Sequence, residues 1–279
     1  MTPKIALIAA TAAFAAGSAQ AASVEIRDAV ARVTVVPEDR ADIKVDIVRT
    51  HAKLPLAVRT LGDKTVVDGD LHRTIRGCNV ASRQPHVTVN GVGRVDYEQM
   101  PQVVIYTPRN VSLSANGAVV GAIGRSGALD LSNSGCSAWT IADVAGAAEI
   151  HESGAGVIRM GASDRLEVHL SGAANIDAAR VRKSLDARLS GAGNVRIAEF
   201  TGDMQAQVSG VGRIDVKNGK ATSVRASVSG VGSVGFDGTT QDLDASISGL
   251  GGVRVEQVTG NVRKSVSGGG RVSIGNRPG

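Results

Sequence analysis

Aromatic side chains are scarce: six in 279 residues, one of which, Phe14, lies in the N-terminal leader. A core built from this chain must therefore be filled by small aliphatic residues. Proline is also sparse, and the 35 glycines follow no Gly-X-Y period, which excludes a collagen-like triple helix. The glycines are threaded through alternating Val, Ile and Ala, which argues against a flexible linker. No segment beyond the leader approaches the roughly 18 uncharged apolar residues that a membrane helix requires. Charge is not clustered either. Without Lys4 of the leader the balance is 30 basic against 26 acidic residues, or +4, and no basic run suggests nucleic acid. There is no C-x-x-C pair and no His-rich metal spacing.

What is present first is an export signal. Residues 1–21 carry one charge, Lys4, then the apolar run Ile5 to Ala16, then Ala19-Gln20-Ala21, the small-x-small pattern of a signal-peptidase site. Cleavage is expected near Ala21, which gives a mature chain in the periplasm, in the medium or at the cell surface. In that oxidising compartment an even count of cysteines points to a bridge, and Cys78 and Cys136 are the two available. The alternative is a pair of buried free thiols.

A repeat dominates the rest. Ser-Gly recurs at glycines 135, 154, 172, 191, 210, 230, 249 and 268, spaced 19, 18, 19, 19, 20, 19 and 19, with Asn116-Gly117 one period earlier. Asn90-Gly91-Val92-Gly93-Arg94-Val95 has the same shape, and reads as a further coil with an insertion around 99–108. Aligned on the glycine, positions six, four and two before it and four and six after it are aliphatic almost throughout, as in Leu185, Ala187, Leu189, Val195 and Ile197. That is the period-two alternation of strands with one buried face. Lys264 breaks the column four before the glycine in the last coil. The small residue between paired glycines (Ala155, Ala173, Ala192, Val211, Val231) and Cys136 in the same column are expected to tuck inward.

A unit of 19 residues cannot bury its face alone, so it must stack on its neighbours. The spacing predicts an all-β solenoid of about nine to ten coils, stacked about 4.8 Å apart, in a rod on the order of 40 to 45 Å long. Arg159, Asp177, Arg196 and Asp215 alternate in sign five positions after successive glycines, which favours a parallel, in-register stack. The organisation expected is a signal peptide at 1–21, an N-terminal β capping region at 22–84, solenoid repeats at 85–275 and a tail at 276–279. Within the cap, 24–26, 43–47 and 65–67 read as strands, with Asp68-Gly69 as a turn.

The Ser-Gly-x-Gly-x-Val repeats, the leader and the N-terminal strands together resemble the GIN-domain family of auto-transporter adhesin heads, over roughly 24–275. That resemblance implies a right-handed parallel β-helix, glycine motifs as tight turns between two sheets, and no established enzymatic site.

Several residue groups are candidate sites. The serines from Ser134 to Ser267 have no base recurring with them, and such serines commonly cap turns. Calcium rolls need Asp where this chain has aliphatics, as in Gly193-Asn194-Val195. His151 and His169, flanked by Asp130, Glu149, Glu167, Asp186 and Arg188, could hold a divalent metal, but a solvated charge face accounts for them as well. No carboxylate pair marks a polysaccharide-cleaving cleft. The reading is therefore a non-catalytic exported solenoid, without cofactor, metal or nucleic-acid partner. It serves as an adhesin-like binding or scaffolding surface for envelope polymer, glycan or protein. The alternatives are a structural protein that self-associates through its open C-terminal sheet edge, and a polysaccharide-acting enzyme.

Overall fold

The computed structural model describes residues 22–80 and 82–275, so the leader and the tail lie outside the described residues. The chain forms a β-solenoid of about nine turns, with strands stacked in parallel. Its N-terminal part is ordered in space differently from the sequence. Strand β1 (Ser23–Glu38) is followed by β2 (Lys44–Arg49), β3 (Ala57–Leu61), β4 (Lys64–Asp68), β5 (Ile75–Asn79), β6 (His86–Val89), β7 (Gly93–Asp96), β8 (Gln102–Pro108) and β9 (Asn110–Ile123). On one edge β1 pairs in parallel with β4 and β8, and on the other with β9. Strands β2 and β3 lie antiparallel on β8 and β4 and cover the outermost rung. Within 22–84, then, β2 and β3 cover the rod while β1 and β4 are part of it.

The Asn90–Val95 motif is not a coil corner. It turns the chain between β6 and β7 in a separate antiparallel sheet, β5-β6-β7. The same glycines supply the turn in both settings, but Asn-Gly here folds the strand back on itself as a hairpin. The segment read as an insertion, 99–108, contains β8, a rung of the stack.

From β9 onward the rhythm is regular. Strands β10 (Ala128–Asn133), β11 (Cys136–Ile141) and β12 (Ala147–Glu152) lead into long bent strands that line two faces each: β13 (Ala155–Leu170), β14 (Ala173–Leu189), β15 (Asn194–Val208), β16 (Arg213–Val228) and β17 (Ser233–Ser248). The stack continues with β18 (Gly252–Val258) and β19 (Val262–Ser267), and β20 (Arg271–Ile274) begins one further rung on β18. The segments before each Ser-Gly corner build the first sheet, and those after it the second. Arg159 faces Asp177, Asp177 faces Arg196 and Arg196 faces Asp215 across successive rungs, as the sign alternation predicts.

The aliphatic columns form one continuous core from Val24 to Val255. Only in the last rung do they open to solvent: Val262 is 42% and Val266 46% exposed. The corner differs from expectation. Val211 and Val231, between the paired glycines, are 71% and 63% exposed. It is the second glycine that faces inward: a Cβ on Gly193 would lie 2.7 Å from Leu170 Cδ2, and one on Gly232 would lie 2.3 Å from Val208 Cγ1. The aliphatic side chain two residues before the preceding corner fills that space, so the intervening residue must turn out. First glycines stack against backbone, since a Cβ on Gly154 would lie 1.8 Å from the Gly135 carbonyl oxygen.

Cys136, in register with Ala155, points outward too. That direction lets it meet Cys78 on β5, and the two form a disulfide with Cα atoms 6.3 Å apart. The bridge ties the small sheet to the flank of the rod over a second apolar cluster that includes Val30, Leu71, Val87, Val89, Met100 and Ala118.

Candidate functional site

Parallel register turns each outward position of the repeat into a column of side chains running along the rod. The first sheet presents three. One holds Asp130, Glu149, Glu167, Asp186, Gln205, Arg225, Asp244 and Arg263. Beside it run Ser132, His151, His169, Arg188, Gln207, Ser227, Ser246 and Ser265. The third is the row of corner serines, exposed from Ser134 to Ser267. Their backbone amides bind the preceding coil, as in Ser153 N to Asn133 O at 2.9 Å and Ser190 N to Leu170 O at 2.9 Å. The hydroxyls of Ser153 and Ser209 also donate to carbonyls of the coil below, each at 3.3 Å. These serines close turns, and the neighbouring histidines turn Nε2 to Glu149 and Glu167 rather than to a serine hydroxyl.

Four carboxylates on consecutive rungs repel one another, and the neighbouring column offsets them. His151 and His169 stack face to face with ring centroids 4.7 Å apart. Each turns Nε2 to a carboxylate of its own coil: His151 to Glu149 at 2.7 Å and His169 to Glu167 at 2.8 Å. Arg188 donates to Glu167 at 3.2 Å and to Asp186 at 2.6 Å. The bond from His169, followed by that from Arg188, holds the Glu167 carboxyl below its ordinary range. Asp186 is pushed the other way by burial, in spite of Arg188, and its Oδ1 has no hydrogen-bond partner. The two imidazoles thus pair with separate carboxylates and do not converge on one point. Among the described residues no group of three or more His, Cys, Asp or Glu is arranged to hold a metal ion.

Between the His/Arg/Gln column and the corner serines the surface is grooved. One open depression of about 390 Å³ is lined by His169, Arg188, Gln207 and serines 171, 190 and 209. Another of about 520 Å³, nearer the N-terminal end, is lined by Glu25, Ser114, Ser132, Ser134, His151 and Ser153.

The repeat alignment left one pair aside. Where other coils place an aliphatic two residues before the glycine, these coils have Asn133 and Glu152, and both are buried. Asn133 Nδ2 reaches both oxygens of Glu152, at 3.0 and 2.9 Å, and the Gly154 amide donates to Oε1 at 2.8 Å. Burial raises the Glu152 carboxyl above its ordinary range, against these bonds. The polar break in the column was the available signal.

Residues 182–278 match the family described as "Putative auto-transporter adhesin, head GIN domain". The C-terminal coils carry the head GIN pattern. Comparison with curated proteins and with solved structures gives no match. The head GIN span takes in the rungs from the second half of β14 to β20 and therefore contains Arg188, whereas the stacked histidines precede it. No helix among the described residues is long and apolar enough to cross a membrane.

Proposed function

We propose that the mature protein is an exported, non-catalytic solenoid whose polar outer walls bind a partner in or beyond the cell envelope, in the manner of an adhesin head. One observation carries this reading: the parallel register lines up polar side chains at about 4.8 Å intervals along a grooved wall, from Ser114 to Ser229. A wall of that kind offers many weak, equally spaced contacts, which suits an extended partner better than a small substrate. The family match supports it, as does the engagement of both groove histidines with carboxylates of their own coils rather than with serine hydroxyls.

Affinity capture with the mature chain, residues 22–279, on its own envelope fraction tests the reading. A partner retained in moderate salt is the expected result, and none retained at any salt concentration would overturn it. Assay against a polysaccharide panel tests the non-catalytic part, because any turnover sinks it.

A further inference from the structure

The second sheet carries a different feature, on coils within the family match. There the column of alternating charge stops. After Arg159, Asp177, Arg196 and Asp215 comes Gly235, and then Arg254 and Ser273. The adjacent column reads Arg213, Ser233, Gly252 and Arg271. Two diagonal glycines and two serines thus leave an open floor of about 270 Å³ edged by guanidinium groups. Arg254 has Gly235 on one side in its column and Ser273 on the other, where earlier rungs would supply a carboxylate. Among the described residues no carboxylate lies within ion-pair distance of Arg213, Arg254 or Arg271, and the ion pair at the rim is Lys217 to Asp237 at 3.2 Å. Asp215 leans over Gly235, with its Oδ1 2.4 Å from where a Cβ would stand. Four cations (Arg213, Lys217, Arg254, Arg271) against two carboxylates (Asp215, Asp237) leave the depression at +2.

We propose that this depression binds an acidic sugar unit, one bearing a carboxylate or a sulfate, as part of a longer glycan chain. The proposal rests on the surface reading above and names the ligand class for one wall. Guanidinium forks match planar and tetrahedral oxyanions, and Ser233 and Ser273 offer hydroxyls to a ring. No aromatic lines the floor, so a neutral sugar gains no stacking there. An acidic peptide fits less well. The main-chain groups of β17 and β18 are already paired with neighbouring rungs, so only side-chain donors are on offer. A ligand dense in oxygens along its length uses those best.

Gly252 supplies a variant that should leave the fold intact. Its added Cβ would meet only the Arg271 carbonyl oxygen, at 3.7 Å, an ordinary contact. Gly252→Glu fills the floor and gives Arg254 and Arg271 the carboxylate they lack. Arg254→Gln with Arg271→Gln removes the cations instead. Probes are a galacturonate hexamer and a sulfated glucose hexamer, with maltohexaose as neutral control and a hexaglutamate peptide as the competing class. Binding is read by calorimetry at low salt and again with added salt.

Expected is salt-sensitive binding of at least one acidic hexasaccharide, at least tenfold tighter than maltohexaose and hexaglutamate. Gly252→Glu and the double Arg variant should each weaken it at least tenfold with an unchanged melting temperature. No binding of either acidic sugar, equal binding of the neutral sugar or the peptide, or full binding by Gly252→Glu would overturn the site. Envelope capture is run in parallel with the same variant. A partner held equally by wild type and Gly252→Glu, with no acidic-sugar binding, sinks this site and spares the surface reading, whereas capture by neither sinks that reading.

Discussion

The indole of Trp139 occupies the space over Gly121 on the neighbouring coil, where an added Cβ would lie 2.0 Å from the ring. One rung has surrendered its side chain so that the next can place the only tryptophan of the protein in the core. Gly121→Ala should cost about 1–3 kcal/mol by overpacking. Trp139→Ala should cost roughly 3–5 kcal/mol through the cavity it leaves. In a Trp139→Leu background most of the Gly121→Ala penalty should vanish. Urea denaturation of the single and double variants measures this, and additive costs would contradict the contact.

The Cys78–Cys136 bridge closes a loop with a sequence separation of 58. On the chain-entropy estimate its loss costs about 4 kcal/mol. Replacing both cysteines by alanine should lower global stability by up to that amount. Amide exchange should rise first in β5–β7, which the bridge ties to the rod. Uniform acceleration along all coils would show that the small sheet is not a separable unit.

Two carboxylates predict opposite pH behaviour. Glu152 has a raised value, so the folded chain holds its proton more tightly than the unfolded chain. Stability from this group therefore declines as pH climbs from the ordinary 4.5 through the folded value. Glu152→Gln should be more stable than wild type at neutral pH, and the gap should close in acid. Glu167 is lowered by His169 and Arg188, so its contribution is present above its ordinary value and is lost as pH falls through the folded value. Glu167→Gln should be less stable than wild type at neutral pH, and this gap too should close in acid. Thermal melts from pH 3 to 8 give both signs.

The Asn133–Glu152 pair also separates satisfied from orphaned polarity. Asn133→Leu alone strands a buried carboxylate and should cost about 1–3 kcal/mol or more, whereas Asn133→Leu with Glu152→Leu continues the aliphatic column and should be close to neutral. Equal losses in the two variants would show that the pair is needed for shape rather than for its hydrogen bonds.

Lys264 stands in the column that holds alanine in the four preceding coils, on a rung where Val262 and Val266 are exposed. A charge in an otherwise apolar column of an open strand opposes pairing with a second edge. Lys264→Ala should raise the apparent mass in light scattering across a concentration series while the wild type stays monomeric. A wild type that already associates would favour the structural reading through this edge.

The solenoid could be read from the letters because its core columns recur with one period: Leu185, Ala187 and Leu189 declare the same inward face as Val224, Ala226 and Val228. The corner direction could not, because whether Val211 or Gly212 faces inward depends on Leu189 of the previous coil, a contact between rungs rather than within one. The same gap placed Cys136 on the wrong side of the wall while pairing it with the right partner. Asn90–Val95 shows the limit of motif shape, since identical turn residues serve a hairpin or a corner according to what the flanking strands can pair with. On the first sheet His151, His169 and their carboxylates were found as a group. The second-sheet depression was missed because it is defined by an interruption, Gly235 and Gly252, and not by any residue that stands out.

Strand β1 is held on one edge by β4 and β8 and on the other by β9, all of which follow it in the chain. A polypeptide made from its N-terminus thus cannot seat its opening strand on both edges until about residue 123 is present. Each later turn can dock as soon as it emerges. The end of the rod that is made first is consequently completed late, so assembly spreads outward from the β9 region instead of following the order of synthesis.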